Sequence, residues 1–209
     1  ILTRFKDQLP QELFTTEFSV PSTNKPGSLR KNLRTAMKLM DDAGFRVIDG
    51  KRVDSQGKQL ELEFLMFQKD FERVVQPFIK NLQRLGINSK ITVVDTTQYI
   101  NRIRNFDFEV IVTGFPQSNS PGNEQREFWH SSKVDQPGSR NYAGVNSPIV
   151  DELIELVISA PSRESLIQRT RALDRVLLWG HYVIPNWYNP VDRVAYRNTL
   201  IHPEVTPKS

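Results

Sequence analysis

The sequence predicts an α/β fold built on a parallel sheet flanked by helices. Three observations predict it. Residues 60–67 (LELEFLMF) begin in strict alternation and turn continuously apolar, as a strand entering a buried sheet does. Phe71, Val74, Val75, Phe78, Ile79, Leu82 and Leu85 then recur at helical spacing, closed by Gly86. Two further apolar runs, 91–94 and 108–112, flank a second helical stretch, so the order is strand, helix, strand, helix, strand. Such a βαβαβ unit with short links makes a parallel sheet with right-handed crossovers.

The elements follow in order. Residues 1–27 are punctuated by Pro10, Pro21, Pro26 and Gly27 and read as an irregular strap. Ser28 opens a helix with Leu29, Leu33, Ala36, Met37, Met40 and Ala43 on one face, and Gly44 ends it. Its other face carries Arg30, Lys31, Arg34 and Lys38. A solvated face explains those charges better than a nucleic-acid surface. Asp49-Gly50, between Val47-Ile48 and Arg52-Val53, is a strong hairpin signal. Pro77 is expected to bend the following helix or delay its start. Asp95 or Thr96 caps a helix running to about Arg104. Residues 113–146 are rich in Pro, Gly, Ser and Asn, with one short helix expected at 124–129. Ser147-Pro148 starts a helix carrying Ile149, Val150, Leu153, Ile154 and Val157 inward. Ser162 caps another, with Leu166, Ile167, Leu173, Val176 and Leu177 inward and Gly180 at its end. Residues 183–188 read as an edge or crossing strand because of Pro185, with a further strand at 191–196. The organisation expected is a strap at 1–27, a lobe at 28–181 and a departing segment at 182–209.

Composition narrows function. The 209 residues contain 28 Lys+Arg, 24 Asp+Glu and no Cys, for a net charge of +4. Disulfides, thiolate catalysis and zinc–cysteine sites are thereby excluded. The chain opens Ile1-Leu2-Thr3-Arg4-Phe5, without an initiator Met, and reads as an internal piece of a longer protein whose signal peptide would lie outside it. His130, His181 and His202 have no metal-ligand spacing, so neither a metal nor another cofactor is expected. There is no GxSxG, GxGxxG or Walker loop. An enzyme is the less favoured reading. A hydrolase would have to use Ser118 or Ser120 with His130, without oxyanion glycines. A nucleic-acid-binding module would rest on the basic helix face, which lacks interleaved aromatics.

In open α/β sheets ligands bind outside the carboxyl ends of the strands. That puts Thr113, Gly114, Phe115, Pro116, Gln117, Ser118 and Asn119 at the mouth of a crevice. The stretch offers backbone donors and acceptors, one aromatic face and uncharged polar groups, suited to a polar organic ligand. Read by spacing alone, an irregular surface loop explains it equally well.

Several runs resemble one family. They are TAMKLMDDAGF (35–45), Gly57-Lys58-Gln59-Leu60, Leu82-x-x-Leu85-Gly86-Ile87, Asp95 with Tyr99, Phe106-Asp107-Phe108 and NYAGVNSPIVDELIEL (141–156). The family is the periplasmic solute-binding proteins of ABC importers for peptides, nickel and related solutes (family 5). PGNEQREFWHS (121–131) and the run from Pro137 to Tyr142 are most similar to its oligopeptide and microcin-C-like branch. The resemblance covers about residues 29–190. It implies a type II periplasmic-binding-protein-like lobe, most of the C-terminal lobe of a two-lobed protein. Ligand would be clamped between this lobe and the N-terminal one, and a membrane permease would be the other partner. The location implied is the periplasm, or the cell surface as a lipoprotein. Tyr142 then belongs to the ligand face, and Trp187, in the segment heading toward the other lobe, joins it or the core. Arg126 and Arg140 either face an anionic ligand group or lie on the surface. Relatives often carry an Asp shortly after the Gly–aromatic pair; here Pro116-Gln117-Ser118-Asn119-Ser120 follows, with no carboxylate before Glu124.

Overall fold

The computed structural model describes residues 1–187, 191, 195–197 and 199–201. In chain order the elements are α1 (Glu12–Thr15), α2 (Ser28–Asp42), β1 (Arg46–Ile48), β2 (Lys51–Val53), β3 (Glu61–Met66) and α3 (Glu72–Arg84). They continue with β4 (Asn88–Val93), α4 (Thr96–Arg104), β5 (Val110–Ile111), α5 (Glu124–Trp129), α6 (Pro148–Ile158) and α7 (Arg163–Trp179). The chain forms two compact units. A sheet unit holds Ser19–Phe115 and Asp135–Tyr142; a helical unit holds Ile1–Phe18, Pro116–Val134 and the described residues from Ala143 on.

The sheet unit is built on β3, paired in parallel with β4 on one side and β5 on the other. Alternation divides the sheet into two faces. Leu62, Phe64 and Met66 with Ile91, Val93, Val110 and Val112 face Val75, Ile79 and Leu82 of α3, forming the core. Leu33, Ala36 and Met40 of α2 pack against the same core. The rest of the α2 stripe does not: Leu29 and Met37 stay exposed. A helical period fixes which side of a helix is apolar, not how much of that side finds a partner.

The other face carries Glu63, Leu65 and Thr92. Glu63 is a charge inside a sheet, and it is matched there. Its carboxylate accepts from Thr92 Oγ1 at 2.6 Å and Arg102 Nη2 at 2.8 Å. The Thr92 and Arg102 bonds hold its pKa below the usual glutamate range. Arg102 also donates to Asp107 at 2.9 Å, tying α4 to the entry of β5. Strand β5 has two residues where five were expected. The Glu109 side chain accepts the Glu63 N–H, a donor that a longer main-chain ladder would use.

The expected hairpin forms. Asp49 and Gly50 have φ of 49° and 76°, as a two-residue turn between twisted strands requires. The hairpin is held by Arg52, only 1% exposed. Its Nε donates to Leu85 O at 3.1 Å and Nη1 to Asp41 Oδ1 at 2.7 Å. A buried guanidinium needs such partners. Pro77 lies inside α3, which starts at Glu72 without delay.

The helical unit centres on α6, whose Ile149, Val150, Leu153, Ile154 and Val157 are all buried, against α7 with Leu173 and Val176. Both helices start at the expected caps: Ser147 Oγ accepts from Val150 N, and Ser162 Oγ from Ser165 N at 3.2 Å. Ile167, expected inward, is exposed. Residues 1–18 contain two short helical turns, at Leu2–Phe5 and α1, where irregular chain was expected. Phe5 and Leu13 are buried, and Arg175 donates to the Leu13 and Thr16 carbonyls. Residues 183–187 form no strand, contrary to expectation. Ile184 there is 68% exposed; its run is apolar by composition, but no ladder partner engages it among the described residues. Tyr188, residues 192–194 of the second expected strand, and His202 lie outside the described residues. Among the described residues no helix is long and apolar enough to cross a membrane.

Candidate ligand-binding rim

The three parallel strands all run toward one edge of the sheet unit. Past their carboxyl ends come Phe67-Gln68, Val94-Asp95 and Val112-Thr113. Asp95 is committed to structure, its Oδ1 accepting from Gln98 N at 2.9 Å to cap α4. Thr113 and Gly114 are exposed and Phe115 is half-buried. Arg140 reaches this loop: its Nη2 donates to Gly114 O at 3.1 Å. The guanidinium thus ties down the loop backbone. Tyr142 packs its ring edge-on to Phe108, with centroids 6.4 Å apart. Thr113, Gly114, Phe115, Arg140 and Tyr142 are therefore members of one unit.

The chain passes into the helical unit at Pro116, and the remaining predicted residues lie there. Pro116, Gln117, Ser118 and Asn119 are exposed. Gln117 Oε1 accepts from the buried Gln125 at 2.6 Å, so that end of its amide is engaged. Ser118 Oγ accepts from Ser120 N at 3.1 Å, and the Asn119 carbonyl accepts from Arg163. Arg126 pairs with Glu155 through two nitrogens, which raises the arginine pKa and lowers that of the glutamate. An anionic ligand group would have to displace that carboxylate. Trp187 is 65% exposed. The sequence reading missed Phe67, Gln68 and Tyr99 at the rim. The signal was present, since the end of the central strand is where a parallel sheet presents side chains.

His130 and Asp151 are used locally. Asp151, in the first turn of α6, accepts from both the backbone N and the hydroxyl of Ser131. His130 Nδ1 accepts from Ser132 N at 3.1 Å. Among the described residues no group of three or more His, Asp or Glu is placed to hold a metal.

A cleft of about 570 Å³ opens at the opposite, amino-terminal edge of the sheet. Its lining includes Glu61, Glu63, Asn88, Lys90, Arg102 and Glu109. Those groups answer one another: Glu61 accepts from Asn88 at 2.7 Å, Glu63 from Arg102, and Glu109 from the Glu63 N–H. With its polar groups already satisfied and its edge opposite the strand ends, this cleft is the weaker ligand candidate.

No family model matches the chain. Relatives and solved structures do. The probable peptide-binding protein YejA of Agrobacterium fabrum is 46% identical over all of this chain, which covers 34% of that protein. The oligopeptide-binding protein AppA of Bacillus subtilis, solved with a nonapeptide, superposes with a TM-score of 0.65 at 20% identity, over 80% of this chain and 32% of its own. A periplasmic oligopeptide-binding protein from Thermotoga maritima, solved with mannohexaose, gives a TM-score of 0.68 at 20% identity, over 88% and 34%. Fold and strand-end rim thus define a periplasmic-binding-protein-like α/β architecture. The chain spans about a third of the length of the relatives it matches. Within that span it is similar in sequence to a protein named for probable peptide binding and shares the fold of solved oligopeptide-binding proteins.

Proposed function

We propose that this chain is the C-terminal lobe region of a periplasmic or cell-surface binding protein that captures peptides or peptide-like solutes for an ABC importer. The ligand is held between two lobes, with the rim at Thr113, Gly114, Phe115, Arg140 and Tyr142 as this lobe's contribution. The closed form delivers it to a membrane permease. Residues 182–187 begin the segment that leads toward the other lobe. The protein binds and does not transform its ligand.

The observation that carries this reading is the 46% identity, along the full chain, to a protein named for peptide binding. The loop past β5 supports it, because Thr113 and Gly114 are exposed at the carboxyl ends of the strands. The absence of a carboxylate in residues 116–120 points to a blocked or modified peptide, or to an amine met by the other lobe.

Magnitudes set the test. Micromolar affinity corresponds to about −8 kcal/mol. A backbone hydrogen bond nets only ~0.5–1.5 kcal/mol, and binding must also offset several kcal/mol of lost ligand freedom. One lobe is therefore insufficient. Calorimetry with a mixed peptide library should show micromolar binding to the full-length protein and almost none to the 209-residue chain. A full-length protein that ignores peptides, or an isolated chain that binds them at micromolar strength, would overturn the proposal.

A further inference from the structure

Phe67 is 41% exposed although the three residues before it are buried. It directly follows β3, where Val94 N still donates to Met66 O at 2.9 Å, so its backbone is fixed by the ladder. Alternation puts it on the face of Leu65, which is paired with Ile111. Two residues past Ile111, Thr113 is exposed beyond the same strand ends. One side of the Phe67 ring rests on Tyr99, with centroids 4.8 Å apart and planes tilted by 44°. Tyr99 is itself buried, and burial, with the Tyr142 phenol adding to it, pushes its pKa up. The buried ring is a support for Phe67.

Single exposed apolar side chains are common on protein surfaces. Phe67 differs in three respects. It lies just past the carboxyl end of the central strand of a parallel sheet, the position where ligands approach. Its ring is braced by a second, buried ring. Its neighbours on the rim, Gln68 and Thr113, are exposed and polar, and Arg140 holds the Gly114 backbone beside them. A flat apolar surface framed by hydrogen-bonding groups suits an extended peptide, whose backbone engages the frame while one side chain lies on the ring.

Resting on the peptide-binding reading, we propose that Phe67, braced by Tyr99, is the shelf that receives one aromatic or large aliphatic side chain of the bound peptide and sets the preference at that position. The test uses the full-length protein and a set of otherwise identical peptides carrying Phe, Leu, Ala or Asp at each position in turn. Calorimetry of the wild-type protein should show, at one position, a preference for Phe over Ala of roughly threefold to tenfold. F67A should abolish that preference. F67Y, which keeps the ring, should retain it. F67A lowering every affinity equally, or none, would overturn the shelf while leaving the peptide-binding reading intact. A wild-type protein that binds none of the peptides would overturn both. The exposed ring contributes little to the core, and matching thermal melts of the variants will exclude misfolding as the cause.

Discussion

Replacing Gly86 with alanine places a methyl group where main chain already stands. Gly86 has φ of +82°, a left-handed conformation. A side chain there costs about 1–2 kcal/mol from Cβ crowding alone. Its Cβ would also lie 2.8 Å from Arg52 N and 3.0 Å from Gly50 O, both backbone atoms of the hairpin turn and second strand. The hairpin cannot yield without losing the Arg52 N–H···O=C Gly86 bond, which measures 2.8 Å. Leaving that buried donor without its acceptor costs about 1–3 kcal/mol. Gly57 supplies the control: its φ is +80°, but nothing lies within 4 Å of its Cβ position. Both substitutions carry the same conformational strain, so their difference isolates the collision. We expect Gly86→Ala to be less stable than Gly57→Ala by about 1–3 kcal/mol in urea unfolding. The probe matters, because Trp129 and Trp179 belong to the helical unit. Far-UV circular dichroism and amide exchange of the β3 backbone report the sheet unit directly. A difference below about 0.5 kcal/mol would refute the reasoning and mean that the hairpin rides loosely on the sheet.

Two predictions extend the argument to charge and packing. The folded-state pKa of Glu63 is depressed, so its stabilisation is present above the unfolded value of about 4.3 and is lost as pH falls through the lower folded value. Glu63→Gln should therefore be less stable than wild type at neutral pH, and the two urea midpoints should converge below about pH 4; parallel curves would show that Thr92 and Arg102 do not set this carboxyl. Leu153 is 0% exposed in the α6–α7 core, and Leu153→Ala should destabilise the chain by about 2–5 kcal/mol by tryptophan-monitored unfolding, whereas Ile167→Ala on the exposed side of α7 should change it by under about 1 kcal/mol.

Signals confined to a few residues were legible. Ser147-Pro148, Ser162 and Asp95 each satisfy backbone donors within their own first turn, so no distant partner is needed to place those helix starts. Asp49-Gly50 fixes its turn in the same way. The parallel sheet was readable from its alternating element order. What escaped depends on partners remote in sequence. The shortness of β5 goes with a contact remote in sequence, the Glu109 side chain taking the Glu63 N–H of β3. The anchoring of residues 1–18 rests on Arg175, more than 150 residues away. The departure of Pro116 from the sheet unit follows from tertiary contacts that no local pattern announces. At the site, the loop after β5 was placed by the strand-end rule, but Phe67 was hidden. The last residue of an apolar run looks like core until the strand order shows that the run ends at an open edge.

The two faces of the sheet divide apolar burial from charge. The core face supplies most of the apolar burial, through Phe64, Met66, Ile79 and Leu82. The face toward α4 is free to hold charge, and Glu63, Arg102 and Asp107 use it to fix α4 against the strands. That network pins the C-terminal end of α4, and the Asp95 cap pins its N-terminal end. Tyr99, between them, is thereby held as a buried support under the exposed ring of Phe67. A loosened Glu63–Arg102 pair should blunt side-chain preference at the rim even though both residues line the opposite, amino-terminal edge of the sheet. Glu63→Gln in the full-length protein tests this alongside F67A: reduced discrimination between Phe and Ala peptides with all-Ala affinity unchanged would place the ion pair behind the shelf, and undiminished discrimination would show that Tyr99 is held by packing alone.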